Sequence, residues 1–150
     1  MNLLFVCTGN TCRSPMCEAG FRHLLKAHGL EQEISCSSAG VAAVPAPASA
    51  NAKAAVRESG LSLENHTARQ FTPKLASEAD LIVAVSPSHF SAVVRIAPEA
   101  EKKTVLLCEG GVSDPFGGDL SVYRECFAEI RKALENLLET IIHRERMIRK

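Results

Sequence analysis

Four short apolar runs, each separated from the next by a longer segment, leave this chain few ways to fold. Asn2 to Val6, Glu33 to Ser38, Asp80 to Val85 and Thr104 to Cys108 read as strands. The segments between them carry helical periodicity, which is the pattern of βαβ units around a parallel sheet. Ser14-Pro15 predicts the start of the first helix, a capping hydroxyl followed by a proline whose missing N–H is harmless at the first helical position, and the helix should run to about Gly29. A second helix is expected over Ala48 to Ser59, stopped by Gly60. Ser86-Pro87 announces a third, and Thr72-Pro73 opens a further short turn. From Leu120 onward Tyr123, Phe127, Ile130, Leu134, Leu137, Leu138 and Ile141 keep one apolar stripe, predicting the last and longest helix. The stretch Gly40 to Ala50 is a small-residue loop, too short and too apolar for a domain linker. With 150 residues, about one domain's worth, a single domain over 1–150 is expected.

Composition narrows the function classes. Apolar residues make up 46% and charged residues 23%, enough to close a core and too apolar for a disordered chain. Seventeen Lys plus Arg balance 17 Asp plus Glu, so no basic surplus exists for a phosphate backbone and nucleic acid is not expected as a partner. The apolar stretches, of which Leu81 to Val85 is the longest, fall far short of the ~20 residues that span a bilayer. Met-Asn-Leu-Leu-Phe-Val has neither the basic nor the apolar region of an export signal. No membrane association and a cytoplasmic location are therefore expected. The basic end His143 to Lys150 reads as a solvated helix terminus favoured by the dipole. Six cysteines are expected as free thiols, since disulfides are rare in a reducing compartment. No two stand at the Cys-x2-Cys spacing of zinc sites, so no metal or other cofactor is expected. The sequence leaves the oligomeric state open.

The informative segment is Cys7-Thr8-Gly9-Asn10-Thr11-Cys12-Arg13-Ser14-Pro15, placed directly after the first strand and before the first helix. Ligands of open α/β sheets bind beyond the carboxyl ends of the strands, where a helix N-terminus offers unpaired N–H groups to an anion. A tight loop from Cys7 to Arg13, with Gly9 permitting a sharp backbone, would aim its amides inward around a tetrahedral oxyanion. Cys-x5-Arg by itself is weak; its weight comes from the strand before it and the helix start after it. A thiol at the positive end of a helix is favoured as thiolate, and Arg13 offers a planar fork for two oxygens of one phosphate. Together they point to attack on phosphorus through a phosphocysteine. Such a reaction needs a proton donor and later a base for water, which one carboxyl can serve in turn. Asp114, in Glu109-Gly-Gly-Val-Ser-Asp-Pro-Phe-Gly-Gly118, is the candidate; the plainer reading is that Asp114-Pro115 only initiates a turn. Asp119 is more naturally a helix N-cap.

Cys7-Thr-Gly-Asn-Thr-Cys-Arg-Ser-Pro15, Ser37-Ser-Ala-Gly40, His66-Thr-Ala-Arg-Gln70 and Asp114-Pro115 resemble, in this order, motifs of the low-molecular-weight protein tyrosine phosphatase family. The resemblance covers essentially the whole chain. It implies a four-stranded parallel sheet with helices on both faces, Cys7 as nucleophile, Arg13 as phosphate clamp and Asp114 as general acid. It also implies that Asn10, Ser14, Ser38 and His66 form a hydrogen-bond network holding the loop; on composition alone His66 is an ordinary histidine. Tyrosine phosphatases of the family usually carry a bulky aliphatic residue where Thr11 stands, and aromatic residues where Phe116-Gly117 follows Asp-Pro. With no Trp and one Tyr, few rings remain to sandwich a phenyl group. Thr11 and Asp-Pro-Phe-Gly-Gly resemble the protein arginine phosphatase branch, which implies phosphoarginine in proteins as substrate, Thr11 favouring it and Asp114 also contacting the guanidinium. Thr8, Gly9, Asn10, Thr11, Cys12, Ser14 and Phe116 are then the expected substrate-binding residues. A tyrosine phosphatase is the alternative reading. An arsenate reductase would need two further cysteines near the third strand and the helix after it, and Asp80 to Phe90 holds none. A non-catalytic phosphate-binding module would have no need of Cys7, Arg13 and Asp114 together. Cys12, inside the same tight loop as Cys7, is either a small buried filler or the partner of a reversible Cys7–Cys12 disulfide.

Overall fold

The computed structural model describes residues 1–148. Four parallel strands, β1 (Asn2–Cys7), β2 (Ser35–Gly40), β3 (Leu81–Ala84) and β4 (Thr104–Leu106), form one sheet in the order β2-β1-β3-β4. Five helices connect and cover them: α1 (Arg13–Ala27), α2 (Ala50–Arg57), α3 (Pro73–Glu78), α4 (Pro87–Ile96) and α5 (Leu120–Ile148), with a 3-10 turn over Pro98–Lys103. β1 lies inside the sheet and is buried on both faces, so it reads as a continuous apolar run. Successive side chains point to opposite faces. Leu3, Phe5 and Cys7 join α1, α2 and α5 in one core, while Leu4 and Val6 join α3 and α4 in the other. Phe5 and Phe21 meet edge to face at 5.6 Å between ring centroids, tying β1 to α1. Among the described residues no helix is long and apolar enough to cross a membrane.

The elements fall where the apolar pattern predicts them, with differences that have local causes. β2 begins two residues later than the Glu33–Ser38 expectation, because the amides of Glu33 and Ile34 turn back onto the Leu30 carbonyl. It also reaches two residues further, pairing Gly40 with Cys7. β4 stops at Leu106, and the Gly111 amide closes a turn onto Cys108. Ser49 caps α2, its hydroxyl accepting from the Ala52 amide, and Thr72 caps α3 in the same way through Leu75. Ser14 does not cap α1, contrary to expectation: the helix already starts at Arg13, and the buried hydroxyl bonds to the Cys7 side instead. Asp119 does cap α5, accepting from the Val122 amide. Arg149 and Lys150 of the basic end lie outside the described residues.

In this strand order the winding of the chain reverses between β1 and β3. That reversal leaves a crevice at the carboxyl ends of those two strands. The Cys7 loop leaves β1 there, and Ser86 leads into α4 from β3 beside it.

Candidate active site

The loop from Cys7 to Arg13 curls tightly, with Asn10 in the left-handed region at φ 58°. An asparagine tolerates that conformation better than most side chains, and here a hydrogen-bond network holds it. Asn10 is fully buried; its Nδ2 donates to Ser14 Oγ at 2.8 Å and Ser38 Oγ at 2.9 Å, and its Oδ1 accepts from the Arg69 amide. His66 Nε2 donates to the Asn10 carbonyl at 2.7 Å. Ser38 in turn donates to Glu18 Oε1 at 2.8 Å. Ser14 Oγ lies 2.8 Å from Cys7 Sγ, so the network ends on the thiol. The four residues that the motif resemblance groups together are thus brought together, and Glu18 completes them. Glu18 stands one helical turn after Ser14 on α1, a spacing that was available in the sequence.

α1 begins behind the loop with Cys12 at its N-cap and no side-chain cap, leaving first-turn amides open to an anion. Arg13 is 7% exposed; its Nη1 donates to the Val112 carbonyl at 3.0 Å and its Nη2 lies 3.6 Å from Asp114 Oδ2. Asp114 also accepts from the Phe116 amide, so it both starts a turn and faces the arginine. Cys7, Thr8, Gly9, Thr11, Cys12, Arg13, Asp114 and Phe116 line one cavity of about 280 Å³. Asn10 and Ser14 lie fully buried behind it. A cleft of about 520 Å³ between His28 to Ile34 and Ile141 to Arg146 is larger but holds no nucleophile; here chemistry rather than volume picks the site. Phe116 is 81% exposed at the rim. Cys12 is buried, with Sγ 3.4 Å from Ser49 Oγ and 3.3 Å from Tyr123 Oη.

Burial separates the other thiols from this site. It pushes the Cys17 thiol well up and the Cys126 thiol up to about 12, so both stay protonated. His89, which sequence reasoning missed, lies in direct contact with the loop: Nε2 is 2.8 Å from Thr8 Oγ1 and Nδ1 is 2.8 Å from Ser86 Oγ. Burial, with the nearby Arg13 cation, lowers its pKa to about 4, so it is neutral at physiological pH. The arrangement can seat a tetrahedral oxyanion over a cysteine, between backbone amides and a guanidinium, with a carboxyl at the opening.

The family described as low molecular weight phosphotyrosine protein phosphatase matches residues 2–147. A protein-arginine-phosphatase of Bacillus subtilis (strain 168) is 35% identical over 148 residues, covering 94% of this chain and 97% of that protein. The low molecular weight protein-tyrosine-phosphatase Etp of Escherichia coli (strain K12) is 34% identical over 137 residues, covering 88% of each. A solved structure of YwlE arginine phosphatase, a cysteine-to-serine mutant with a phosphorylated active-site serine, superposes with a TM-score of 0.90 at 34% identity, covering 94% of this chain and 95% of that one. The chain therefore belongs to the low molecular weight phosphotyrosine protein phosphatase family, whose members are cysteine-based protein phosphatases.

Proposed function

We propose that the protein removes phosphate from phosphoarginine in proteins through a phosphocysteine. Cys7 thiolate attacks phosphorus while the bond from phosphorus to the guanidino nitrogen breaks, and Asp114 gives that nitrogen its proton. Asp114, now a carboxylate, takes a proton from water as the water oxygen attacks the phosphocysteine. The S–P bond breaks, releasing phosphate and restoring the thiolate. Arg13 and the loop amides hold the phosphoryl oxygens throughout, where charge develops. The observation that carries the reading is that Thr11, Asp114 and Phe116 line one cavity with Cys7. A small polar side chain and a carboxyl suit a donor-rich guanidinium leaving group, and once Asp114 has given up its proton its carboxylate makes a charge-assisted pair with the released guanidinium that a phenol cannot return. The arginine phosphatase relative from Bacillus subtilis supports it, while the relative from Escherichia coli, named for tyrosine, supports the alternative. Phosphorylated proteins in a reducing cytoplasm are the natural setting for a thiolate nucleophile.

The test is kcat/KM for phosphoarginine and phosphotyrosine peptides in wild type and Thr11→Ile. Wild type should favour phosphoarginine, and the larger apolar side chain should shift the ratio toward phosphotyrosine by about 10–200-fold, the size of a methylene-scale pocket change. A wild-type preference for phosphotyrosine, or an unmoved ratio, makes the tyrosine reading the correct one.

A further inference from the structure

His89 is 3% exposed, and both of its ring nitrogens face hydroxyls, Thr8 on one side and Ser86 on the other. Thr8 is the residue after the nucleophile and lines the cavity together with Asp114 and Phe116. The imidazole therefore lies directly behind one wall of the site, one contact from anything bound there. None of the catalytic steps derived above uses it.

Two neutral tautomers are compatible with those contacts, and they give the cavity opposite characters. With the proton on Nε2, His89 donates to Thr8, and the Thr8 hydroxyl hydrogen is left for the site. With the proton on Nδ1, His89 donates to Ser86, whose own hydrogen passes to Ser88 Oγ at 3.0 Å. The bare Nε2 then accepts the Thr8 hydrogen, and the lone pairs of Thr8 Oγ1 remain as acceptors. The contacts admit both, and the acceptor form of Thr8 Oγ1 goes with the second tautomer.

We infer that His89 is a positioning residue that makes Thr8 Oγ1 a hydrogen-bond acceptor on the cavity wall, set to receive an N–H of the substrate guanidinium opposite Asp114. The inference rests on the phosphoarginine reading. It gives that reading a second acceptor, so that a donor-rich planar group is met from two sides. The aryl ring of phosphotyrosine has no N–H to give and draws nothing from Thr8. The phosphate itself is held elsewhere, by the loop amides and Arg13.

The experiment uses Thr8→Val and His89→Phe, which remove the acceptor and its anchor at similar volume, the double variant, and the conservative Thr8→Ser and His89→Gln. Probes are a phosphoarginine peptide, a phosphotyrosine peptide, and inorganic phosphate as inhibitor; melting temperature is recorded for each variant. Thr8→Val and His89→Phe should each lose about 10-fold in kcat/KM on phosphoarginine, the scale of one hydrogen bond. In His89→Phe, phosphotyrosine turnover and phosphate inhibition should stay within about twofold, where a merely structural role would move all three. The double variant should be no worse than either single, because both act through one bond. Thr8→Ser and His89→Gln, which can still form it, should restore most of the loss, and they decide the matter if the larger changes prevent folding. Equal losses on both substrates, additive losses, or no loss overturn the inference while leaving the phosphoarginine reading standing. A wild type inert toward phosphoarginine defeats that reading and this one with it.

Discussion

Two segments meet at Arg13 and are held in contrasting ways. The Cys7 loop is closed in by Gly40, Ser38, His66, Arg69 and His89, and its buried polar atoms bond to one another. Among the described residues no buried side-chain nitrogen or oxygen lacks a partner. The segment from Glu109 to Asp119 is rooted at Val112, whose amide donates to Val85 and whose carbonyl holds Arg13, but its tip stands in solvent. The Asp114 side chain is 55% exposed and its contact with Arg13 is 3.6 Å long. An anion site whose charges must not reorganise profits from the first kind of construction. A proton donor that serves a leaving group and then a water molecule profits from the second. On the proposed function, the contrast teaches that close packing is placed where the phosphate would sit and exposure where the leaving group would change.

Gly40→Ala should break the rigid side and have the largest effect. A Cβ at Gly40 would stand 2.4 Å from the Thr8 carbonyl oxygen and 3.0 Å from the Asn10 amide nitrogen, both backbone atoms of the loop. Neither can swing aside as a side-chain end would, so the loop itself must move. The expected losses are about 3 kcal/mol of stability and about 10²-fold in kcat/KM, the scale of an ångström's misplacement. Denaturant unfolding and steady-state kinetics check both. A variant with wild-type kinetics would mean that the loop tolerates displacement, and the contrast would fail.

A redox prediction sharpens the same comparison at somewhat smaller effect. Peroxide should oxidise the Cys7 sulfur to a sulfenic acid, its O–O bond breaking as oxygen passes to sulfur. The Cys12 thiol then attacks that sulfur and water leaves, giving a Cys7–Cys12 disulfide. Forming it forfeits the bonds from Cys12 to Ser49 and Tyr123, which makes the off state readily reduced. Activity should fall more than about 10-fold and return with a thiol reductant, while Cys17 and Cys126, held protonated by burial, stay unmodified. Peptide mapping decides: reversible inactivation without a Cys7–Cys12 linkage refutes the idea.

How much of this was legible in the sequence follows from how local each determinant is. The parallel sheet was readable because β1 and β3 announce themselves as apolar runs, and the loop because a strand, a glycine and a Ser-Pro lie within one short stretch. Ser14 was misjudged as a cap because a cap is a local inference, whereas its hydroxyl is claimed by Cys7 and Asn10 from across the loop. Glu18 shows only its one-turn spacing from Ser14, and His89 carries no local signal of its own; their roles exist only once β2 and α4 are brought beside β1. Gly40 likewise reads as a turn residue, and only the paired strands show that it makes room for the Thr8 carbonyl.

Gly117→Ala probes the exposed side and should have the smallest effect. Gly117 has φ 83°, a conformation that costs an ordinary side chain about 1–2 kcal/mol. Yet nothing lies within 4 Å of the Cβ it would gain. Strain in an open turn can be relieved by shifting the turn, here the one closed by the Gly118 amide on Pro115, without displacing Arg13 or the Val112 root. Stability should therefore fall by about 1 kcal/mol or less. kcat/KM should fall only a few-fold, through a displaced Asp114. The two glycine variants thus apply the same added methyl to both segments and differ in what surrounds it. If Gly117→Ala lost as much stability and activity as Gly40→Ala, the tip carrying Asp114 would be held as firmly as the Cys7 loop, and the proton donor would have to act from a fixed position.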